Sequence, residues 1–306
     1  MNNPQPWEWT EPQWRGHIEK IRAGESLLAP DPTARWKDGA KAAVLLSFDS
    51  DHETIPLRDG ETSPGRMAQG EYGARAAVPR ILRLLHRYEI PASFYIPAVC
   101  ALLRPQEVPS YVDAGHEVGV HGWIHERNTL LTFDQELDLL GRAAEVLQKQ
   151  SGAKPTGIRT PSWDFSDSTM DVIRELGFTY DSSLMADDVP YELIADGEPT
   201  GIVEIPVEWI RDDAPYLTMD RYTGLRPYMP PRQLGQIWKD EFDFAYESGG
   251  VFQLTLHPHV IGHPSRLVVL EDLLKYIRSH DGLWITTHEK LATHLGSRLT
   301  ARTPQQ

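Results

Sequence analysis

The sequence predicts an α/β fold in which a parallel sheet, with helices outside it, closes into an irregular or incomplete barrel. Three observations predict it. Nearly unbroken apolar runs, as expected of strands covered on both faces, recur along the chain. Stretches with apolar residues at helical spacing lie between them, and repeated strand–helix alternation implies parallel pairing. The 306 residues contain no internal repeat, low-complexity tract or linker, so one large barrel accommodates them.

Residues 1–39 are rich in Trp, Pro and Glu, with Trp7, Trp9, Trp14 and Trp36 and no clear period. They read as an extension whose aromatics pack on the body or on a neighbouring subunit. The barrel is expected over 40–306. Its first strand is "KAAVLLSFD" (41–49), and the polar stretch 50–69 reads as a loop. Ile81, Leu84, Leu85 and Tyr88 mark a helix that Pro91 closes. "ASFYIPA" (92–98) is a second strand, followed by a helix near 105–114 stopped by Gly115. "HEVGVHG" (116–122) is a third strand. Thr132 and Gln135 form a capping box that opens a helix to about residue 150. "GIRTPS" (157–162) is a short strand, and a helix over 166–176 stops at Gly177. The stretch 184–202 is a long connection, of the kind that carries function or an insertion. "VEIPVEW" (203–209) alternates as a strand does, and Leu234, Ile237, Trp238, Phe242 and Ala245 mark a long helix. "VFQLTLHP" (251–258) and "GLWITTH" (282–288) are the last strands, with a helix over 267–277 between them.

Lys plus Arg number 30 and Asp plus Glu 44, giving a formal net charge of −14, which argues against a nucleic-acid or anionic-membrane partner. A single cysteine, Cys100, excludes an internal disulfide. The first residues show no basic segment followed by an apolar one, and no run of about 18 apolar residues occurs, so neither a signal peptide nor a membrane span is expected. The expected location is cytoplasmic.

The expected strands end in ionisable residues. The first ends at Asp49 and continues into Asp51 and His52. The third ends at His121, with His125 four residues on. "GIRTPSWD" carries Arg159, then Trp163 and Asp164, and "QLTLHPH" ends in His257 and His259. In a parallel barrel the C-terminal strand ends form the catalytic face, so these residues are expected to meet. "HGWIH" alone is a weak metal signal and lacks the Glu of the HExxH pattern. With Asp51 added, two imidazoles and a carboxylate make a catalytic ligand set that leaves a position open for water. Asp51 could equally be a solvated loop acid or a helix cap. An acid at Asp49, ending a buried strand, is unfavourable unless paired or functional. A structural ion pair with Arg159 competes with a catalytic role there, and an arginine that orients a base satisfies both. His257 and Trp163 read equally well as core residues, and His52 and His259 as surface residues flanking the site.

"SFDSDHE", "HEVGVHGWIHE", "RTPSW" and "LTLHP" resemble, in this order, the motifs of the polysaccharide deacetylases, carbohydrate esterase family four. The matches span about 41–290 and most resemble a cytosolic branch with peptidoglycan-deacetylase-like, allantoinase-like and cyclic imide hydrolase members. The resemblance implies an irregular (β/α) barrel of about seven strands. It implies a divalent ion, zinc by default with cobalt, nickel or manganese as alternatives, on Asp51, His121 and His125. Asp49 takes the position of the family's base, His257 that of its acid, and Arg159 that of the residue steadying the base. The backbone at Ser162 and Trp163 matches the region that lends an oxyanion N–H; Trp163, Ser162, His52 and His259 are the candidate substrate contacts. Two departures stand out: Ser50 separates the two acids that are adjacent in "TFDD", and "RTPSW" has one residue more than "RxPY" before its aromatic. The branch, with the Trp-rich extension, implies a homo-oligomer.

The expected reaction is hydrolysis of a non-peptide C–N bond, with Asp49 as base and His257 as acid. A small cyclic imide or ureide is the first expected substrate, and an N-acetylglucosamine polymer or peptidoglycan the second. A catalytically silent metal- or carbohydrate-binding module is a third reading, against which Asp49 and His257 speak.

Overall fold

The computed structural model describes residues 5–219 and 229–302; residues 1–4 of the expected extension, and 220–228 and 303–306 of the expected barrel, lie outside the described residues. Among the described residues ten strands form one sheet: β1 Ile21–Ser26, β2 Ala42–Asp49, β3 Ser93–Ile96, β4 Glu117–Val120, β5 Gly157–Ile158, β6 Tyr180–Asp181, β7 Tyr191–Ala195, β8 Glu198–Glu204, β9 Val251–Leu256 and β10 Leu283–Thr286. Strands β2–β6 and β8–β10 pair in parallel. Strand β2, buried along its whole length, is the hub: it pairs with β10 through Ala42–Leu45, with β3 through Ser47–Asp49 and with β9 through Ala43–Phe48. At the far side a parallel bridge from Asp212 to Thr255 brings the chain after β8 back to β9, so the sheet curls toward closure. This is the mostly parallel, irregular barrel that the apolar runs predict.

The expected helices form where periodicity and caps place them. Val78–Arg87 buries Ile81, Leu84 and Leu85. Phe133–Ser151 opens on the Thr132–Gln135 capping box. Gly177 and Gly249 end Thr169–Leu176 and Pro231–Ser248 in the left-handed conformation that glycine adopts without steric penalty. No helix among the described residues is long and apolar enough to cross a membrane.

Four expectations need correction. The supposed loop 50–69 contains the helices Thr54–Arg58 and Pro64–Tyr72; Ser63–Pro64 is a helix start, with proline in the first turn where its missing N–H costs nothing. The connection 184–202 holds β7 and most of β8, a hairpin turning at Asp196–Gly197 with φ of 49° and 84°, the two positive values that an Asp-Gly turn supplies. The strand expected at 203–209 ends at Glu204; Pro206 has no N–H for a ladder, and a short 3-10 turn follows at Trp209–Arg211. A last helix, His288–Arg302, was not anticipated. In the N-terminal region β1 pairs antiparallel with β7, and Trp36 is buried, its Nε1 donating to the Gly249 carbonyl at 3.0 Å. Trp7 and Trp14 stay exposed.

The barrel interior is polar as well as apolar. Asp181 and Glu204 are register partners on β6 and β8, both fully buried. Burial, followed by the charge of Asp181, pushes the Glu204 carboxyl well above its ordinary range, while burial raises Asp181 to about 6. The pair therefore holds one proton, because two adjacent carboxylates cannot both ionise in low dielectric. The folded protein binds that proton more tightly than the unfolded chain does. Its stabilising contribution is complete below the unfolded glutamate value of about 4.3 and is lost as pH rises through the folded value. Glu204→Gln fixes the neutral form, so its melting temperature should match wild type near pH 5 and exceed it near pH 9. Parallel curves for the two proteins in a pH series of thermal melts would refute the shared proton.

Candidate active site

The chemistry-bearing residues sit at the C-terminal ends of β2, β4, β5 and β9. Asp49 is the last residue of β2, and Asp51 lies two beyond it. The turn after Asp51 is clamped: Thr54 Oγ1 donates to the Asp51 carbonyl at 2.5 Å, and Cys100 Sγ to the same oxygen at 3.1 Å. His52 takes a positive φ of 46°. The helix Pro64–Tyr72 lies directly over this turn because Gly70 has no side chain; a Cβ there would stand 2.2 Å from the His52 carbonyl carbon.

His121 follows β4, and the His121–His125 spacing is delivered by a loop, not a helix. Gly122 and His125 have φ of 75° and 62°, and Glu126 folds back to accept the N–H groups of Trp123 and Ile124 at 2.7–3.0 Å. The rings of His121 and His125 stand edge-on, 5.0 Å apart.

Asp51, His121 and His125 each turn one ligand atom into a common point, all within 4.8 Å of one another and buried. Asp51 Oδ1 lies 3.4 Å from His121 Nε2, and Oδ2 lies 3.6 Å from His125 Nε2. His121 donates Nδ1–H to the Arg159 carbonyl at 2.7 Å, which leaves Nε2 free to bind. Asp51 Oδ1 has no hydrogen-bond partner among the described residues. Burial first, then the charges of Asp49 and Asp212, raise its carboxyl to about 8, so an ionised Asp51 needs a cation beside it. Burial lowers the His121 imidazole to about 4 and holds His125 well below its ordinary value, so both are neutral donors. The set fits a divalent cation. One adjustment goes with it: Arg58 Nη1 lies 3.0 Å from His125 Nδ1 and 3.1 Å from the His125 carbonyl. A cation on Nε2 puts the proton on Nδ1, after which Arg58 keeps only the carbonyl.

Asp49 and Arg159 form a buried pair. Arg159 Nη1 reaches Asp49 Oδ1 at 2.8 Å and Ser47 Oγ at 2.8 Å, while its other nitrogens donate to the Ser182 carbonyl and hydroxyl at 2.9 and 2.8 Å. Burial by itself would raise the Asp49 carboxyl, but Arg159, with His121 and His257, outweighs it and holds Asp49 below its ordinary value. Its second oxygen faces His121 Nε2 at 3.8 Å.

His257, at the end of β9, points Nε2 at Asp51 Oδ2 across 3.7 Å. Its Nδ1 donates to Asp213 Oδ1 at 2.7 Å, with Asp212 Oδ1 at 3.6 Å, and its backbone N–H also donates to Asp213. Burial alone would lower this imidazole; the two carboxylates outweigh it and hold it well above its ordinary value. Asp212 and Asp213 escaped the sequence reading, although "RDDAP" follows an expected strand as the other site residues do.

The four candidate substrate contacts are placed differently. His52 is buried, with Nε2 held by Glu107 Oε1 at 2.7 Å, and Glu107 also accepts from Tyr111 at 2.8 Å. Ser162 is exposed, and Trp163 is buried against Trp209, ring centroids 4.0 Å apart. Both residues take positive φ, of 56° and 55°, a strained pair of the kind found at functional turns. Within that turn the Trp163 N–H donates to the Thr160 carbonyl at 2.9 Å and the Asp164 N–H to the Pro161 carbonyl at 3.1 Å. His259 lines, with His52, a cavity of about 610 Å³ beside the Asp51–His121–His125 cluster. The cavity is walled by His52, the two helices that follow it, residues 214–219 and residues 259–266.

The profile of the polysaccharide deacetylase family matches residues 38–180. The chain is 33% identical over 256 residues to a peptidoglycan deacetylase of Helicobacter pylori, covering 75% of this chain and 87% of the relative. A Mycobacterium smegmatis crystal structure, provisionally named a polysaccharide deacetylase, superposes with a TM-score of 0.80 at 32% identity, over 91% of this chain and 98% of the other. The crystal structure of PuuE allantoinase superposes with a TM-score of 0.77 at 25% identity, over 91% and 96%.

Proposed function

The chain belongs to the polysaccharide deacetylase family, and from that membership we propose that it is a metal-dependent hydrolase that opens a C–N bond of a small cyclic imide or ureide. One observation carries the reading: Asp51, His121 and His125 converge on one point with Asp49 and His257 facing it, both within 4 Å of that triad. Asp51, His121 and His125 would hold a divalent cation, zinc by default, in a two-imidazole, one-carboxylate set that cobalt, nickel and manganese also fit. Such a cation, when bound, supplies a Lewis acid for the carbonyl and lowers the pKa of water. The remaining steps fall to the chain. Asp49, ionised and oriented by Arg159, takes the proton of the attacking water. His257, protonated against Asp213, gives a proton to the leaving nitrogen.

The small substrate is favoured by enclosure. The three metal residues are 1–4% exposed. The adjoining space is a cavity of about 610 Å³, within the range of small-molecule sites. A second reading, an N-acetylglucosamine polymer, is favoured by the Trp163–Trp209 stack, whose outer ring is 44% exposed and offers a face to a sugar, and by the name of the Helicobacter relative. The deciding experiment offers phthalimide, hydantoin, allantoin and N-acetylglucosamine oligomers to protein of measured metal content. Ring opening without acetate release supports the first reading, and acetate release from the oligomers replaces it with the second. Metal-loaded protein that hydrolyses none of them would end the enzymatic reading.

A further inference from the structure

The cavity beside the metal residues has a composition at odds with the chain as a whole. The protein carries 44 acidic against 30 basic residues. Yet the cavity lining contains two arginines, Arg66 and Arg266, and three histidines, His52, His259 and His263, with no Asp or Glu among the described residues that line it. A random patch of this surface would more often present carboxylates. Burial, with neighbouring cations, holds His259 and His263 below the ordinary imidazole value, so the charge this concave wall focuses on whatever enters is that of its two arginines.

The placement ties this cavity to the reaction site. His52 directly follows Asp51, Ala214 directly follows Asp213, and the His259 ring centroid lies 5.9 Å from that of His257. Asp49, Asp51, His121, His125 and His257 do not themselves line the cavity, so a substrate with its scissile bond at His257 enters it only through an arm that passes His259. His259 Nδ1 is buried without a hydrogen-bond partner among the described residues. Arg266 is fixed on the wall by donating Nη1–H to the Val260 carbonyl at 2.6 Å, and Arg66 meets Glu61, which does not line the cavity, at 3.6 Å. The rest of the wall is apolar, with Ile55, Leu217 and Val260. Guanidinium forks set in a hydrocarbon wall match a carboxylate on a short aliphatic stem better than a fully hydrated anion.

We propose that this cavity is a carboxylate-binding subsite, and that the substrate is a small cyclic amide bearing an acidic aliphatic arm. The assignment of a substrate rests on the imide or ureide reading above; the cavity itself does not.

Two experiments separate them. In the first, metal-free full-length protein is titrated calorimetrically with glutarate, with its neutral analogue glutaramide, and with inorganic phosphate. Glutarate should saturate, with glutaramide at least about tenfold weaker, a difference of about 1.4 kcal/mol. Arg66→Met should weaken glutarate about tenfold or more, and Arg66→Lys, which keeps the charge, should recover part of the loss. Equal binding of glutarate and glutaramide, glutarate affinity unchanged in Arg66→Met, or phosphate as tight as glutarate would overturn the subsite. In the second, kcat/KM is compared for hydantoin and for hydantoin carrying a carboxymethyl arm on the ring carbon. A preference of about tenfold for the acidic substrate, lost in Arg66→Met, is expected. No turnover of either ring despite glutarate binding would defeat the imide reading and leave the subsite standing. Equal turnover of the two rings would defeat the substrate assignment.

Discussion

Asp49→Asn protein should retain its metal and lose hydrolysis by about 10²–10⁴-fold in kcat, the usual contribution of a positioned general base. In the proposed mechanism the two acids have separate roles. Asp51 supplies ligand atoms with His121 and His125, whereas Asp49 has one oxygen taken by Arg159 at 2.8 Å and the other 3.8 Å from His121 Nε2. An amide at residue 49 preserves shape but cannot accept a proton, so the loss should appear in kcat with little change in KM. It also leaves Arg159 buried beside a neutral partner. Breaking one side of a buried pair destabilises by about 3–5 kcal/mol, which Ser47 and Ser182 soften by keeping three of the guanidinium bonds. A lower melting temperature is therefore expected, and the assay belongs well below it. Metal analysis and kcat on the same preparation decide the case. Near-normal turnover would remove Asp49 from the base role, and loss of metal together with turnover would make it part of the binding set.

Most of this centre was legible because one rule covers it. Apolar runs that end in Asp49, His121 and His257 are strands whose polar ends must share a face if the strands are parallel. Arg159 follows from the same logic, since a buried aspartate at the end of β2 needs a partner. What escaped depends on pairings that sequence distance hides. His52 reads as a flanking surface residue, yet it is buried against Glu107, 55 positions away. The helices after Asp51 escaped because the stretch is polar, and they are held down by Gly70 against the His52 backbone rather than by an apolar stripe. Strand β1 escaped because a short edge strand of polar residues, "IRAGES", has no alternation to show. The hairpin at Asp196–Gly197 is signalled by its Asp-Gly pair, although the stretch 184–202 reads as a long connection because its flanking strands lack a clear apolar alternation. Asp212 and Asp213 follow an expected strand as the other site residues do, but their partner is hidden by distance: the chain after β8 returns to bridge β9 and delivers them to His257.

Those two acids carry the second large effect. In the proposed mechanism His257 serves as an acid only while protonated, and its proton is held there against burial by Asp212 and Asp213. Activity limited by an acid falls as pH rises through that acid's pKa, so the alkaline limb of kcat/KM should lie above the ordinary imidazole range of about 6.5. Asp213→Asn keeps the volume and can still accept the His257 backbone N–H, but it removes the charge 2.7 Å from Nδ1. The imidazolium then loses its nearest stabilisation, and the limb should move toward acid. Each unit of displacement is worth about 1.4 kcal/mol and about a tenfold loss at pH values above the limb. The variant should therefore lie within a few-fold of wild type near pH 6 and fall about 10–100-fold behind near pH 9. Asp212→Asn should shift the limb less, since its oxygen stands 3.6 Å from Nδ1 and also holds the Ala214 N–H at 2.7 Å. The comparison distinguishes charge from scaffolding. If Asp213→Asn lowers kcat/KM equally at every pH, the carboxylate only holds the ring in place, and the proton on His257 must be kept by something else.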